Sequence, residues 1–411
     1  MHSVKEAETT ILNLISPLDK SQDSESIPLE AAAGKILAQT LISPLDFPHW
    51  NNSAMDGYAV RYGDVQECPT SLEIIEEIPA GFNPKKTVQT GQAARIFTGA
   101  ILPQGADTIV IQENTERQGD RVVILQPPQP QDFVRHRGSF HQAGTPLLQG
   151  GIQLGAPEVA ILAAAQQTQL QVYRRPTVAL LSTGDELVAP DRALEPGQIV
   201  DSNQYALAAF VAQNGGIPVP LGIVEDCRDR LKAAIERAVA TCDVVLSTGG
   251  VSVGDRDYIQ TLLDELGAEM HIRSVAVKPG KPLTVATFNR NERICPYFGL
   301  PGNPVSALVS CWRFVQPALQ KLSGLAPPWG CEFVKARSRS RLKGTKTRET
   351  YLWGQLHNIE GTYEFSLAGG SHSSGNLINL AQTNGLAVVP PGETHLDAGS
   401  DLRVLFVNRK L

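Results

Sequence analysis

No apolar run in this chain approaches the roughly 20 residues a helix needs to cross a bilayer, so contact with a membrane is not expected. The opening stretch, "MHSVKEAETT", lacks the basic and apolar regions of a secretory signal, and the expected address is the cytoplasm. Positive charge is also in short supply, with 36 Lys plus Arg against 42 Asp plus Glu and a net of −6. That balance argues against nucleic acid as a partner, while a local basic pocket can still take a small anion. The six cysteines, Cys68, Cys227, Cys242, Cys295, Cys311 and Cys331, form no C-x-x-C pair and no zinc spacing with histidine. Reduced and mostly buried thiols are expected.

What the chain does have is length and alternation. Its 411 residues, 42% of them hydrophobic, should divide into more than one domain. Apolar residues recur at helical spacing from Val4 to Ile15, and "SIPLEAAAGKILAQ" reads as a second helix with its proline near the start. From about residue 41 to 170, short β-type runs such as "RIFTGA", "DTIVIQE" and "RVVILQ" alternate with Gly and Pro, predicting a mostly β region with a helical tail at "APEVAILAAA". Between about 172 and 324, strands such as "TVALL", "IPVPLGIV" and "DVVLSTGG" alternate with amphipathic helices. Such a pattern needs right-handed crossovers and predicts a parallel-rich sheet covered on both faces. "GLAPPWG" reads as a linker, and the remainder predicts a small β-barrel or sandwich.

Two apolar runs end alike, "VALLSTGDEL" at Val178 to Leu187 and "VVLSTGGVSVGDRD" at Val244 to Asp257. In an open parallel sheet the loops after the strand ends gather in one crevice, where ligands bind. Backbone N–H groups at Gly184, Gly249 and Gly250, with the hydroxyls of Ser182, Thr183, Ser247 and Thr248, are suited to cradle phosphate or another oxyanion. Glu186, Asp226 and Asp257 follow three strand ends and would repel such a ligand unless a cation intervenes. Mg²⁺ held by one or two carboxylates plus phosphate oxygens resolves that conflict. Asp185 and Glu186 could instead cap the next helix, and Asp257 could start one.

In "KPGKP" a tight turn offers Lys278 and Lys281 to an oxyanion, although such turns are also ordinary surface loops. In "GLPGNPVSA" a strand runs through Pro301, Gly302, Asn303 and Pro304 into a helix whose start favours anions, with Asn303 as its expected cap. His49, His136 and His141 fall in loops and read as surface residues.

"NNSAMDGYAV", "RIFTGA", "STGDEL", "STGGVSVGDRDY", "KPGKP" and "GLPGNPVSA" occur in this order over nearly the whole chain. Together they are similar to the molybdopterin molybdenumtransferase (MoeA) family, whose animal relative is the E domain of gephyrin. The resemblance implies multidomain α/β plus β architecture. Residues 1–50 with 143–171 would form a helical/β linker domain, 51–142 an inserted mostly β domain, 172–325 a three-layer α/β molybdopterin-binding domain, and 326–411 a small β-barrel. It further implies an elongated homodimer that takes adenylylated molybdopterin and molybdate, uses Mg²⁺, releases AMP, and contacts a molybdopterin adenylyltransferase. By motif, Asp56, Thr98, Glu186, Asp226 and Asp257 match the family's functional residues, and Glu186, Asp226 and Asp257 would hold the metal. Its molybdate site maps to Lys278, Lys281, Pro282 and Ser306, with Arg348 in "TKTRET" and Ser371 in "GGSHSSG". This chain departs from many relatives in "FPHW" ahead of "NNSAMDG" and in Cys227 after Asp226. Two rivals stand beside this reading: a molybdopterin adenylyltransferase, which would need only the segment from Val172 to Gly324, and a gephyrin-like scaffold.

Overall fold

The computed structural model describes residues 1–249, 258–290 and 293–407. Helix α1 (Val4–Leu14) starts with a reciprocal cap: the Ser3 hydroxyl accepts from the Glu6 N–H, and the Glu6 carboxylate accepts from the Ser3 N–H. Val4, Ala7 and Ile11, spaced three and four apart, form its buried face.

The second helix expected at "SIPLEAAAGKILAQ" is not formed. Ser24–Pro28 is instead a strand pairing antiparallel with Gln169–Tyr173, with Ile27 opposite Leu170, and Leu29–Ala31 makes a single tight turn. Gly34 then adopts φ +79°, which breaks helical continuity, and Leu37 is buried beside Val172. Pairing with a strand 140-odd positions away outweighs the local helical propensity of Leu, Glu and Ala.

Contacts divide the chain into two compact units, one of residues 1–38, 151–155 and 169–411, the other of 39–150 and 156–168. The second unit is built on a six-stranded curled sheet in the order Thr108–Ile111, Gly57–Val60, Gln92–Ile96, Thr70–Ile78, Arg121–Ile124, Thr115–Gln118. Strand alternation separates its two cores: Tyr58, Val60, Ala93 and Val110 face one side, and Ala59, Ala94, Ile96 and Ile109 the other. The expected helical tail is α2 (Ala156–Ala164).

The first unit holds the expected three-layer sheet. Its strands are β1 (Thr177–Thr183), β2 (Ile217–Val224), β3 (Val244–Thr248), β4 (Glu269–Ile272), β5 (Thr284–Arg290) and β6 (Arg293–Leu300), in the spatial order β2-β1-β3-β6-β5-β4. The first four in that order are parallel; β5 and β4 add on antiparallel, because β5 and β6 form a hairpin that the strand-helix alternation did not announce. Leu180, Leu246 and Phe298 pack on one face with α3 (Asn203–Gln213) and α1. Ala179, Val245 and Tyr297 pack on the other with α4 (Arg228–Thr241) and α5 (Tyr258–Glu265). Helices α6 (Pro304–Ser310) and α7 (Gln316–Leu322) follow β6, joined by a wider π turn at Cys311–Val315.

The C-terminal part closes into a five-stranded barrel: β7 (Phe333–Ser338), β8 (Glu349–Ile359), β9 (Thr362–Leu367), β10 (Gly385–Val389) and β11 (Asp401–Phe406), in the order β8-β9-β7-β11-β10 and back to β8. Closure removes the exposed sheet edges that a sandwich would leave. No helix among the described residues is long and apolar enough to cross a membrane.

Candidate functional site

Register brings three turns together at the carboxyl edge of the parallel strands. Ser182 of β1 lies opposite Thr248 of β3, and Thr248 opposite Leu300 of β6, so residues 183–184, 249 and 301–302 leave the sheet side by side. Gly249 has φ +91°, and a Cβ there would stand 2.1 Å from the Thr183 carbonyl oxygen, so only glycine fits. A Cβ on Gly302 would stand 3.7 Å from the Gly249 Cα, which leaves bare backbone between these turns. Ser182, Ser247 and Thr248 are buried and committed within the sheet: Thr248 Oγ1 donates to Ser182 Oγ at 3.4 Å, and the Tyr297 hydroxyl to Ser247 Oγ at 2.6 Å. The Thr183 hydroxyl is buried at the mouth with no hydrogen-bond partner among the described residues. An orphaned hydroxyl beside open backbone is a donor waiting for an acceptor.

The acids lie at neighbouring strand ends. The Glu186 carboxylate folds over Gly184, where a Cβ would come within 2.6 Å of Oε2, and Asp185 Oδ1 accepts from the Asp226 N–H at 3.0 Å. Gly250 and Asp257 lie outside the described residues. No cluster of three or more metal-ligating side chains occurs among the described residues. Glu186 and Asp226 still offer an all-oxygen set, the donor chemistry of a hard cation whose shell is completed by phosphate and water.

At the other junction Asn303 occupies the cap position of α6 with Pro304 after it, but its side chain makes no cap bond; Gly375 lies against Asn303 Oδ1, 3.8 Å from where its Cβ would be. The Val305 N–H donates to the Ser374 carbonyl at 3.2 Å, which brings the loop of Ser371 to the start of α6 and to Ser306. Gly280, at φ +109°, turns its α-carbon toward α6, where a Cβ would meet Ser310 Oγ at 2.9 Å and the Ser306 carbonyl at 3.6 Å. Lys278 and Lys281 flank it and are exposed, with Pro282 next in line. Val277–Lys278 pairs in parallel with Glu349–Thr350 at the start of β8, and Arg348 precedes that pair in a turn closed by Thr345 Oγ1. The candidates Lys278, Lys281, Pro282, Ser306, Arg348 and Ser371 therefore lie on connected segments.

Asp56 and Thr98 meet directly within the second unit. Asp56 Oδ1 accepts from both the Thr98 N–H and the Thr98 hydroxyl, each at 2.7 Å. The N–H bond, then the hydroxyl bond, with the Arg95 charge adding, hold the Asp56 carboxyl below its ordinary range.

Sequence reasoning missed three residues. Arg95 donates to the Gly57 carbonyl at 3.0 Å and to Gln112 Oε1 at 2.8 Å, and its guanidinium lies over Tyr58 and Phe97. The Gln112 N–H in turn donates to the Asp56 carbonyl. Asn203, at the start of α3, donates through Nδ2 to the Gly302 carbonyl at 2.7 Å. Arg95 lay inside a quoted motif, but nothing local marked Gln112 or Asn203. Of the loop histidines, His49 is exposed and bonds to the Asp46 carbonyl, and His141 to the Thr145 hydroxyl. Cys242, Cys295 and Cys311 are buried, Cys227 is exposed, and no cysteine is in a disulfide.

Comparison with known proteins covers the same ground. Family models match in succession: "MoeA N-terminal region (domain I and II)" at residues 2–165, "Probable molybdopterin binding domain" at 179–321, and "MoeA C-terminal region (domain IV)" at 335–407. A molybdopterin molybdenumtransferase from a Nostoc strain is 58% identical over 409 residues, spanning 98% of this chain and 94% of that protein. Molybdopterin molybdenumtransferase 2 of Mycobacterium tuberculosis is 34% identical, spanning 92% and 94%. A molybdopterin biosynthesis MoeA protein of Pyrococcus horikoshii, solved by crystallography, superposes with a TM-score of 0.79 at 31% identity, covering 98% of each chain. With sheet, curled sheet and barrel all accounted for from end to end, this chain belongs to the molybdopterin molybdenumtransferase (MoeA) family, and its role lies in molybdenum cofactor biosynthesis.

Proposed function

We propose that the chain inserts molybdenum from molybdate into adenylylated molybdopterin, with hydrolysis of the adenylyl bond and release of AMP. The observation that carries the reading is the meeting of the 183–184, 249 and 301–302 turns around the Thr183 hydroxyl, which has no partner among the described residues, in a chain whose relatives bear the transferase name. Backbone amides at these turns and Thr183 would grip the phosphate, in the way glycine turns and strand-end crevices bind oxyanions. Glu186 and Asp226, with Asp257, would hold Mg²⁺, which when bound supplies charge neutralisation for the phosphate under attack. Lys278, Lys281, Arg348 and the Ser306 and Ser371 hydroxyls are chemically suited to a tetrahedral dianion. Asp56, kept ionised by Thr98, suits an orienting acceptor.

The four-domain division, a homodimer and transient contact with a molybdopterin adenylyltransferase complete the proposal; sedimentation at the mass of a single chain would remove the dimer from it. The adenylyltransferase rival leaves the regions matched at 2–165 and 335–407 without a role. The scaffold rival leaves the acids and lysines without one. Purified protein is supplied with adenylylated molybdopterin, molybdate and Mg²⁺, and AMP is followed. Molybdate-dependent AMP release is the expected result. AMP formed only from ATP and free molybdopterin would instead favour adenylyl transfer, and no turnover with either would favour the scaffold.

A further inference from the structure

Arg313 projects from the π turn between α6 and α7 and is only 5% exposed. Its two η nitrogens bind the Glu8 carboxylate of α1 at 2.6 and 2.9 Å, and its Nε donates to the Tyr351 hydroxyl at 2.9 Å. Arginine can only donate, so Tyr351 Oη accepts from it, and the single phenolic proton goes to Glu349 Oε1 at 2.5 Å. Burial pushes the Tyr351 phenol well above its ordinary value and keeps that proton in place.

Glu349 is the residue at which two parts of the proposed oxyanion pocket meet. Its N–H donates to the Ala276 carbonyl at 2.9 Å, and it lies beside Val277 where the strand of Lys278 joins β8. Arg348 immediately precedes it. Alternation within β8 puts Glu349 and Tyr351 on one face, and the two side chains bond to each other there. With its N–H bonded to Ala276 and its carboxylate bonded to Tyr351, Glu349 is fixed at the point where the Thr345–Arg348 turn enters β8.

We propose that Arg313, Tyr351 and Glu349 form a tether, buried at Arg313 and Tyr351, that positions Arg348 and the Lys278 turn for molybdate, with Tyr351 as a positioning residue. The proposal rests on the reading of Lys278, Lys281 and Arg348 as the molybdate pocket. Anchoring both segments before the anion arrives lowers the cost of ordering them on binding.

The test titrates molybdate alone into the full-length protein by calorimetry and measures kcat and the KM for molybdate in the AMP assay. Tyr351→Phe keeps the ring and removes the hydroxyl. Its Kd and KM for molybdate should rise about tenfold, with kcat at saturating molybdate within about twofold of wild type. Glu349→Ala should lose the same affinity, the double variant should be no weaker than either single one, and Glu349→Gln, which still accepts the phenolic proton, should bind nearly as wild type. Wild-type affinity in Tyr351→Phe, or single losses that add in the double variant, would overturn the tether. If Tyr351→Phe does not fold, equal affinities for Glu349→Ala and Glu349→Gln overturn it as well. Lys281→Ala separates the two levels. Lost molybdate binding there with an unaffected Tyr351→Phe sinks the tether alone, whereas full binding in Lys281→Ala sinks the pocket and the tether together.

Discussion

Asp56 shows how much one pair of hydrogen bonds decides. Both bonds from Thr98 end on Oδ1, so Oδ2 takes no part in them and the carboxyl titrates below its ordinary range. A carboxyl depressed in the fold adds stability above its unfolded pKa and loses it as pH falls through the folded value. Thr98→Val keeps the N–H bond and deletes the hydroxyl bond. The Asp56 pKa should move up toward the ordinary value, read by NMR titration, and the acid limb of the kcat/KM profile should shift to higher pH with it. At neutral pH, kcat/KM should fall on the order of tenfold, the size of one charge-assisted hydrogen bond. An unmoved acid limb would take Asp56 out of the reaction. The chain could suggest this pair, because "SAMDGYA" and "RIFTGA" are quotable motifs. It could not show Gln112 bonding the Asp56 carbonyl, since that contact depends on two strands becoming neighbours.

At the scale of elements, the amino edge of the sheet depends on an ion network far in sequence from the site motifs. Arg174 donates to both oxygens of Asp243, at 2.7 and 2.8 Å, and through Nε to the buried Asp23 at 2.8 Å. Burial would raise the Asp243 pKa, but the Arg174 bonds and the Thr177 N–H and hydroxyl outweigh it, and the carboxyl is lowered. Arg174→Ala leaves two largely buried carboxylates short of a partner and should cost about 3 kcal/mol in urea unfolding at pH 7. Without those bonds the Asp243 pKa rises from its lowered value, and the stability that its ionised form adds at neutral pH is reduced. The deficit against wild type should therefore shrink as pH is lowered toward the ordinary aspartate range; a constant deficit would show that Arg174 acts only through packing. The parallel strands of this sheet and the helices between them were legible because short apolar runs alternate with helical stretches, whereas the β5–β6 hairpin was not. The segment from Ser26 to Gln39 was not: its residues favour a helix locally, but the pairing of Ile27 with Leu170 draws its start into a strand and Gly34 breaks the rest.

Across the whole molecule, the sheet and the barrel share one core. Val178, Leu246 and Phe298 of the sheet, Ile11 of α1, and Tyr351, Trp353 and Leu405 of the barrel belong to a single buried cluster. Trp353 is 1% exposed, donates to Asn379 Oδ1 at 2.8 Å and lies against the His372 ring. Trp353→Ala should cost about 3–5 kcal/mol and lower Tm by roughly 5–10 °C. The fall should appear in one cooperative step for sheet and barrel, whereas a barrel that melts alone, followed by circular dichroism and tryptophan fluorescence, would show the two cores to be separate. The chain by itself determined the class of architecture, the strand-end glycines and the acids beside them, because periodicity and turn chemistry act over a few residues. Tertiary structure alone decided that Arg313 reaches Tyr351 and through it Glu349, that Asn203 holds the Gly302 turn, and that the Thr183 hydroxyl has no hydrogen-bond partner among the described residues. Those pairings are set by register and packing between distant segments, which no local pattern encodes.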